Sequence, residues 1–250
     1  MKRIKKQGVW QSIGFMLSVA AYLCFSTTSQ SQITASPTFS RSPAQRFPRV
    51  SGLTQKDLND QVNALLAKKE QEDRATRKDC LQTRIPELPR PTYDETIRLT
   101  YLSSRLLSID IRNTRIGCDA YPNIDITYPL TINLMQGKKL DWHLFFKDGF
   151  LEDLKGDSFS LLKIYLHHAH PDEECLKAVN DPNVKFDLWL DGRRAELMAK
   201  PSLPHVVQAC AVLVGIPFAE IQEAIRDPLD RQELVSSKSQ LVQVADKPLP

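Results

Sequence analysis

The chain has 250 residues, room for one large domain or two small ones, and its hydrophobic share of 42% places it among globular rather than disordered chains. The formal charge is +3, but Lys2, Arg3, Lys5 and Lys6 all fall within residues 1–31, which hold no acid. A chain cleaved after Ser31 therefore carries −1, which argues against nucleic-acid binding by bulk electrostatics.

Residues 1–31 read as an export signal: the basic cluster, an apolar run from Ile13 to Phe25, then small polar residues with Ser29 and Ser31 at the −3 and −1 positions of a cleavage site. The run is shorter than the ~20 apolar residues a membrane span needs, so cleavage is expected over anchoring. Membrane contact would come only through this segment, if uncleaved. Cys24 lies inside it, and the preceding Ala21-Tyr22-Leu23 is unlike a lipoprotein box. The expected location is exported, periplasmic or secreted. Four cysteines remain beyond the signal: Cys80, Cys118, Cys175 and Cys210. An even number in an oxidising compartment points to two disulfides, with all three pairings open. The alternative is buried free thiols, since Cys210 sits in an apolar run. The spacings are unlike the CxxC pairs of zinc sites.

Residues 32–52 are rich in Ser, Pro and Arg with no apolar period and read as a disordered spacer. Residues 53–92 read as a helix and a Pro-rich connector. Thr54 is the expected cap, and Leu58, Val62, Leu65 and Leu66 form one apolar stripe. Past Ala67 the stripe fades into KKEQEDRATRKDC, whose mixed signs suggest a solvated helix face. IPELPRP, residues 85–91, stops any helix.

Residues 93–232 carry the folded domain. Ile97, Leu99 and Tyr101 alternate with polar residues, as do Leu107, Ile109 and Ile111, so two strands are expected. Ile124, Ile126, Tyr128, Leu130, Ile132 and Leu134 fall on one side of a longer strand, with Pro129 marking an edge or bulge. Asp157 or Ser158 is expected to cap a helix through Leu166. KFDLWL and RRAELMA flank Asp191-Gly192, which predicts a two-residue turn with Phe186 opposite Leu197 and Leu188 opposite Ala195. Val206–Val214 reads as a central strand. Pro217 opens a helix with Phe218, Ile221 and Ile225 inward. Residues 233–250 read as a flexible tail. The expected class is α+β: a mixed, largely antiparallel sheet packed against a few helices.

Several motifs within residues 99–221 carry a resemblance. Gly117, Ala120, Tyr121 and Pro122 form a loop. Gln136, Gly137, Lys138 and Leu140 form a turn, followed by apolar Leu144, Phe145 and Phe146, and VGIPFAEI closes the run at 214–221. Over residues 95–226 the chain resembles the secreted C-terminal domain of RsiV-like anti-sigma factors and of some polysaccharide deacetylase-type proteins. It departs from that pattern where Cys118-Asp119 replaces the loop's second glycine. No stretch resembles a sigma-binding segment or a deacetylase catalytic domain. The resemblance implies a non-catalytic extracellular module that binds an envelope or extracellular protein. Some members bind lysozyme, so a lysozyme-like partner is one possibility. No ligand-contact residue is transferred.

LHHAHPDEEC, residues 166–175, raises the question of a metal site. His167 and His170, three apart on a helix, with an acid nearby, are the candidate ligands. The competing reading is a junction between two helices. Pro171 would start the second, and Asp172, Glu173 and Glu174 would favour its positive end. His168 would point away from His167. His143 and His205 stand alone. HExxH, GxSxG and phosphate-cradling glycine loops are all missing, so no catalytic residue and no cofactor are assigned. Trp142 and Trp189 mark either an exposed surface or core packing. The leading reading is an exported binding module without enzymatic activity. The alternatives are a metal-dependent hydrolase built on the 167–174 cluster and a structural envelope protein.

Overall fold

The computed structural model describes residues 37–40, 47–53, 55–119, 123–152 and 159–236. The expected export segment, Thr54, Asp157 and Ser158 lie outside these. The elements in chain order are β1 (Thr38–Ser40), β2 (Arg49–Ser51), α1 (Lys56–Gln82), β3 (Thr92–Leu102), β4 (Leu106–Ile116), β5 (Asn123–Thr127), β6 (Leu130–Asn133), β7 (Lys138–Lys139), α2 (Trp142–Phe145), α3 (Leu161–Ala169), α4 (Glu173–Val179), β8 (Lys185–Asp191), β9 (Glu196–Ser202), β10 (Val214–Pro217), α5 (Phe218–Ile221) and α6 (Pro228–Ser236). The class is α+β, and every pairing between these strands is antiparallel.

Among the described residues, a five-stranded sheet has the path β3-β4-β6-β7, with β5 also on β4. The β3–β4 hairpin sets Ile97 opposite Ile111 and Leu99 opposite Ile109. These side chains, with Leu107, Leu130, Ile132 and Leu134, bury Val62 and Leu66 of α1. Each fully buried aliphatic contributes about 1.5–3 kcal/mol. A bulge between Leu99 and Tyr101 shifts the strand by one residue, and Tyr101 joins the core on the opposite side of the sheet. β4 is therefore covered on both faces.

The long strand expected at 124–134 is interrupted. Arg112 faces Thr127 and Ile109 faces Leu130, one continuous register, but Tyr128 and Pro129 between them belong to neither strand. Tyr128 N–H still donates to Ile111 O, at 2.8 Å. Pro129 has no N–H to continue the ladder.

The spacer expected at 32–52 contributes to the core. Phe47 and Val50 pack with Val62 and Leu66. The Asn63 side chain takes the place of a neighbouring strand, accepting from Val50 N–H and donating to Val50 O, both at 2.8 Å. These contacts are long-range, so no local period announces them.

A second sheet, ordered β10-β9-β8, covers the other face. Leu190 N–H donates to the Ser108 hydroxyl (3.1 Å) and Gly192 N–H to Thr100 O (2.9 Å), joining β8 to the first sheet. The β8–β9 turn differs from expectation. Asp191 faces Glu196 across a four-residue loop, so Phe186 faces Pro201 and Leu188 faces Ala199. The Asp191 carboxylate accepts from Arg193 and Arg194 N–H, and Ala195 takes φ 57°. This shift of four residues preserves the two-residue side-chain period, so Phe186, Leu188 and Leu197 still face the same core. Trp189 is buried opposite Met198, which removes it as an exposed anchor.

Val206–Val214 is not a central strand. His205–Cys210 forms a 3-10 turn with Val206 91% exposed, and only Val214 onward joins the sheet, at its edge. The Cys175–Cys210 disulfide pins this turn, with Cα atoms 5.0 Å apart. The sequence run is apolar, but its residues do different jobs, and hydrophobicity alone could not separate them.

α3 is capped by Ser160, whose hydroxyl accepts from Lys163 N–H. After Pro217 the chain buries Phe218, Ile221 and Ile225 as expected, although the α-helix ends at Ile221 and Ile225 is already extended; Ala224 is buried too. Rings of Trp142, Phe145, Phe146 and Phe150 pack together nearby, Trp142 stacked on Phe146 and the others edge-on or tilted, with Phe146 and Phe150 centroids 4.6 Å apart. α6 runs through Ser236 with Leu234 buried, so residues 233–236 belong to the folded unit. Arg105, in the β3–β4 turn, donates to Asp227 and Asp230, and Glu233 accepts from Ser104 N–H and Oγ. These bonds lock the first hairpin to the last helix. Among the described residues, no helix is long and apolar enough to cross a membrane.

Candidate binding surface

The second half of α1 is where the structure departs furthest from the sequence reading. Its buried line continues past Leu66 on the same helical period as Glu70, Asp73 and, two turns on, Cys80, with Arg77 half-buried between them. The core it meets there is polar. The Tyr93 hydroxyl donates to Asp73 Oδ1 at 2.6 Å and accepts from the Asn113 amide at 3.3 Å. Arg115 donates to Asn113 Oδ1 (3.1 Å) and to the Tyr128 hydroxyl (3.3 Å). Burial, then the bond to Asp73 and its charge, push the Tyr93 hydroxyl well above its ordinary pKa, so it stays a donor. Cations alternate with the rings: Lys69 over Tyr128, Arg115 between Tyr128 and Tyr93, and Arg77 over Tyr93, all at 5.6–5.9 Å. The Cys80–Cys118 disulfide, Cα atoms 4.8 Å apart, closes this end.

Glu70 is also buried and is held by two arginines, Arg49 at 2.8 Å and Arg74 at 2.6 Å. On the outer flank beside it lie two adjoining depressions. One, of about 330 Å³, is lined by Arg74, Arg77, Lys78 and Leu81. The other, of about 270 Å³, is lined by Arg49, Ala67, Glu70, Gln71 and Arg74. Together they carry four cations against one carboxylate. A helix turns 100° per residue, so Glu72 and Asp79 sit roughly 150° around from this flank. The signs that read as mixed along the sequence are therefore separated in space.

The histidine-rich stretch is a junction between helices. His170 ends α3 in the left-handed region, φ 45° and ψ 52°, and Asp172 caps α4 by accepting from Cys175 N–H at 2.8 Å. Glu173 and Glu174 occupy the first turn of α4. His168 does not turn away from His167: their rings lie 5.4 Å apart, and His168 Nε2 pairs with Glu220 Oε2 at 2.9 Å, joining α3 to α5. His167 and His170 rings are 6.0 Å apart. Among the described residues, no group of three or more His, Cys, Asp or Glu is placed to hold a metal ion.

Of the residues behind the family resemblance, Gly117 takes φ 73° against Pro89 O, where a side chain would collide, and Gly137 takes φ 63° against Gln61. Ala120, Tyr121 and Pro122 lie outside the described residues. A further buried carboxylate sits between the two sheets. Asp110 Oδ2 accepts from Arg112 Nε at 2.7 Å, while Oδ1 has no hydrogen-bond partner. Burial raises its pKa against the opposing pull of Arg112 and Arg98.

No protein-family model matches the chain, and no curated protein does. Crystal structures similar to it include the following two. A member of the DUF3298 family from Bacteroides fragilis has a TM-score of 0.47 and 13% identity, covering 80% of this chain and 94% of that one. A DUF3298 family protein from Pseudomonas aeruginosa has a TM-score of 0.44 and 12% identity, covering 77% and 92%.

Proposed function

We propose that this protein is an exported, non-catalytic module that binds another protein of the cell envelope or extracellular space. The observation that carries this reading is the pairing of Cys80 with Cys118 and of Cys175 with Cys210. Every cysteine beyond the N-terminal apolar segment is thereby cross-linked, a state that persists in oxidising compartments and is rare in the cytosol. The signal-like residues 1–31 and the resemblance to the secreted RsiV-like domain support the same compartment. That resemblance also supports a binding role, and a lysozyme-like protein is one partner it suggests. The cationic flank of α1, lined by Arg49, Arg74, Arg77 and Lys78, offers a charged surface for such a role.

The test is a native thiol titration followed by a binding assay. Protein recovered after export is expected to show no thiol reactive without reductant. Immobilised, it is expected to take up one partner from envelope or extracellular fractions, saturably and at fixed stoichiometry, with lysozyme included as a purified candidate. Four reactive thiols, or turnover of a substrate by the purified protein, would overturn the reading.

A further inference from the structure

We propose that the flank of α1 from Arg74 to Leu81 docks a short acidic peptide segment, two or three carboxylates beside an aliphatic residue, belonging to the partner protein. This rests on the binding-module reading above and names the chemistry of its partner. Charge complementarity is the first argument. The nearby helix carboxylates are already engaged: Glu70 by Arg49 and Arg74, and Asp73 by the Tyr93 hydroxyl. Among the described residues, Arg77 and Lys78 form no salt bridge. Glu72 and Asp79 project from another flank, and Glu70, the one carboxylate lining these depressions, is already bound by two arginines.

Extent is the second argument. Further along the same flank toward the N-terminus, Ala67 and Gln71 are uncharged. The positive run spans roughly 10 Å at 1.5 Å per residue, the length of about three extended residues. A long polyanion gains by repeating charge over many turns, and this stripe stops after two. Leu81, 40% exposed at the end of the run, adds an apolar contact for one side chain. The third argument is rigidity. The Cys80–Cys118 bridge and the Tyr93 network fix the helix backbone, and Arg77 already rests on the Tyr93 ring. Less side-chain freedom is then lost on binding.

The experiment uses the full exported protein and a fluorescein-labelled peptide, Ser-Glu-Glu-Leu-Glu-Ser, read by anisotropy. Saturable binding is expected, weakening at least fivefold between about 50 and 300 mM NaCl as screening grows. Lys78→Glu with Arg77→Gln is expected to weaken it at least tenfold, and Leu81→Ser about threefold. Lys177→Glu, on the exposed face of α4, should change nothing, and thermal melts check that each variant is folded. The proposal falls if the glutamine version of the peptide binds as well, or if the double variant binds unchanged. It also falls if dextran sulfate or anionic vesicles, but not the peptide, are displaced by these substitutions. A double variant that loses the peptide yet retains the envelope partner would sink this assignment and leave the binding-module reading standing. A wild-type protein that binds the peptide but no envelope partner would do the reverse.

Discussion

The two disulfides close loops of nearly equal length, with sequence separations of 38 and 35 residues, yet they stand in unlike surroundings. On the chain-entropy account each contributes about 4 kcal/mol, so loop length cannot distinguish them. Cys210 lies in the large core of Phe146, Leu190, Ile216 and their neighbours, and Cys175 packs on its edge. Among the described residues, Cys80 and Cys118 share a buried cluster with Tyr93 alone. One bridge is added to an extensive apolar core. The other stands where α1 has run out of apolar side chains and is held otherwise by Asp73, Tyr93, Asn113 and Arg115. The contrast shows how one cross-link can reinforce packing while another replaces it.

The largest test addresses the apolar side. Phe146→Ala removes the ring on which Trp142, Phe145 and Phe150 converge, and about 3–5 kcal/mol of stability should be lost, read as a lower urea midpoint. Next come the bridges. Cys80→Ala with Cys118→Ala and Cys175→Ala with Cys210→Ala should each cost about 2–4 kcal/mol. Their hydrogen-exchange patterns should differ. Loss of the first should speed exchange through α1 beyond Glu70 while the turns around Val62 stay protected. Loss of the second should speed exchange only around residues 205–213. Identical patterns would break the comparison.

Smaller effects sharpen it. Tyr93→Phe removes the hydroxyl that Asp73 accepts and should cost about 1–3 kcal/mol, with non-additive loss when combined with removal of the Cys80–Cys118 bridge. A double-mutant cycle in urea measures this coupling. The smallest change has the opposite sign. Asp110 has a raised pKa in the folded protein, so the folded state holds its proton more tightly than the unfolded chain does. Its ionisation penalty is absent below the unfolded value near 3.8, grows as pH rises toward the folded value, and is constant above it. Asp110→Asn should therefore be more stable than wild type at pH 7, an advantage that disappears near pH 3. Arg112, left behind, is 36% exposed and can be solvated. Urea midpoints at both pH values check this.

The β3–β4 hairpin was legible because alternation over several residues is a local signal, and so was the junction at Pro171, where cap and dipole preferences act within one turn. The register of β8 and β9 was not, because the Asp191 carboxylate caps a longer loop than the Asp-Gly pair suggests. Phe47 and Val50 were hidden in a Pro-rich stretch, since their partners lie on α1. The α1 flank was hidden differently. Its charges look mixed in linear order, and the period that separates them follows polar residues, which a search for apolar stripes passes over.

By itself, the sequence determined the α+β class, the central strands and the α3–α4 junction, because these follow from side-chain period and from preferences acting between near neighbours. The pairing of the four cysteines, the burial of Glu70, Asp73 and Asp110, and the one-sided charge of α1 were decided only by tertiary structure. Each depends on groups brought together from distant parts of the chain, where cross-strand contact, desolvation and helix facing outweigh what the adjacent residues prescribe.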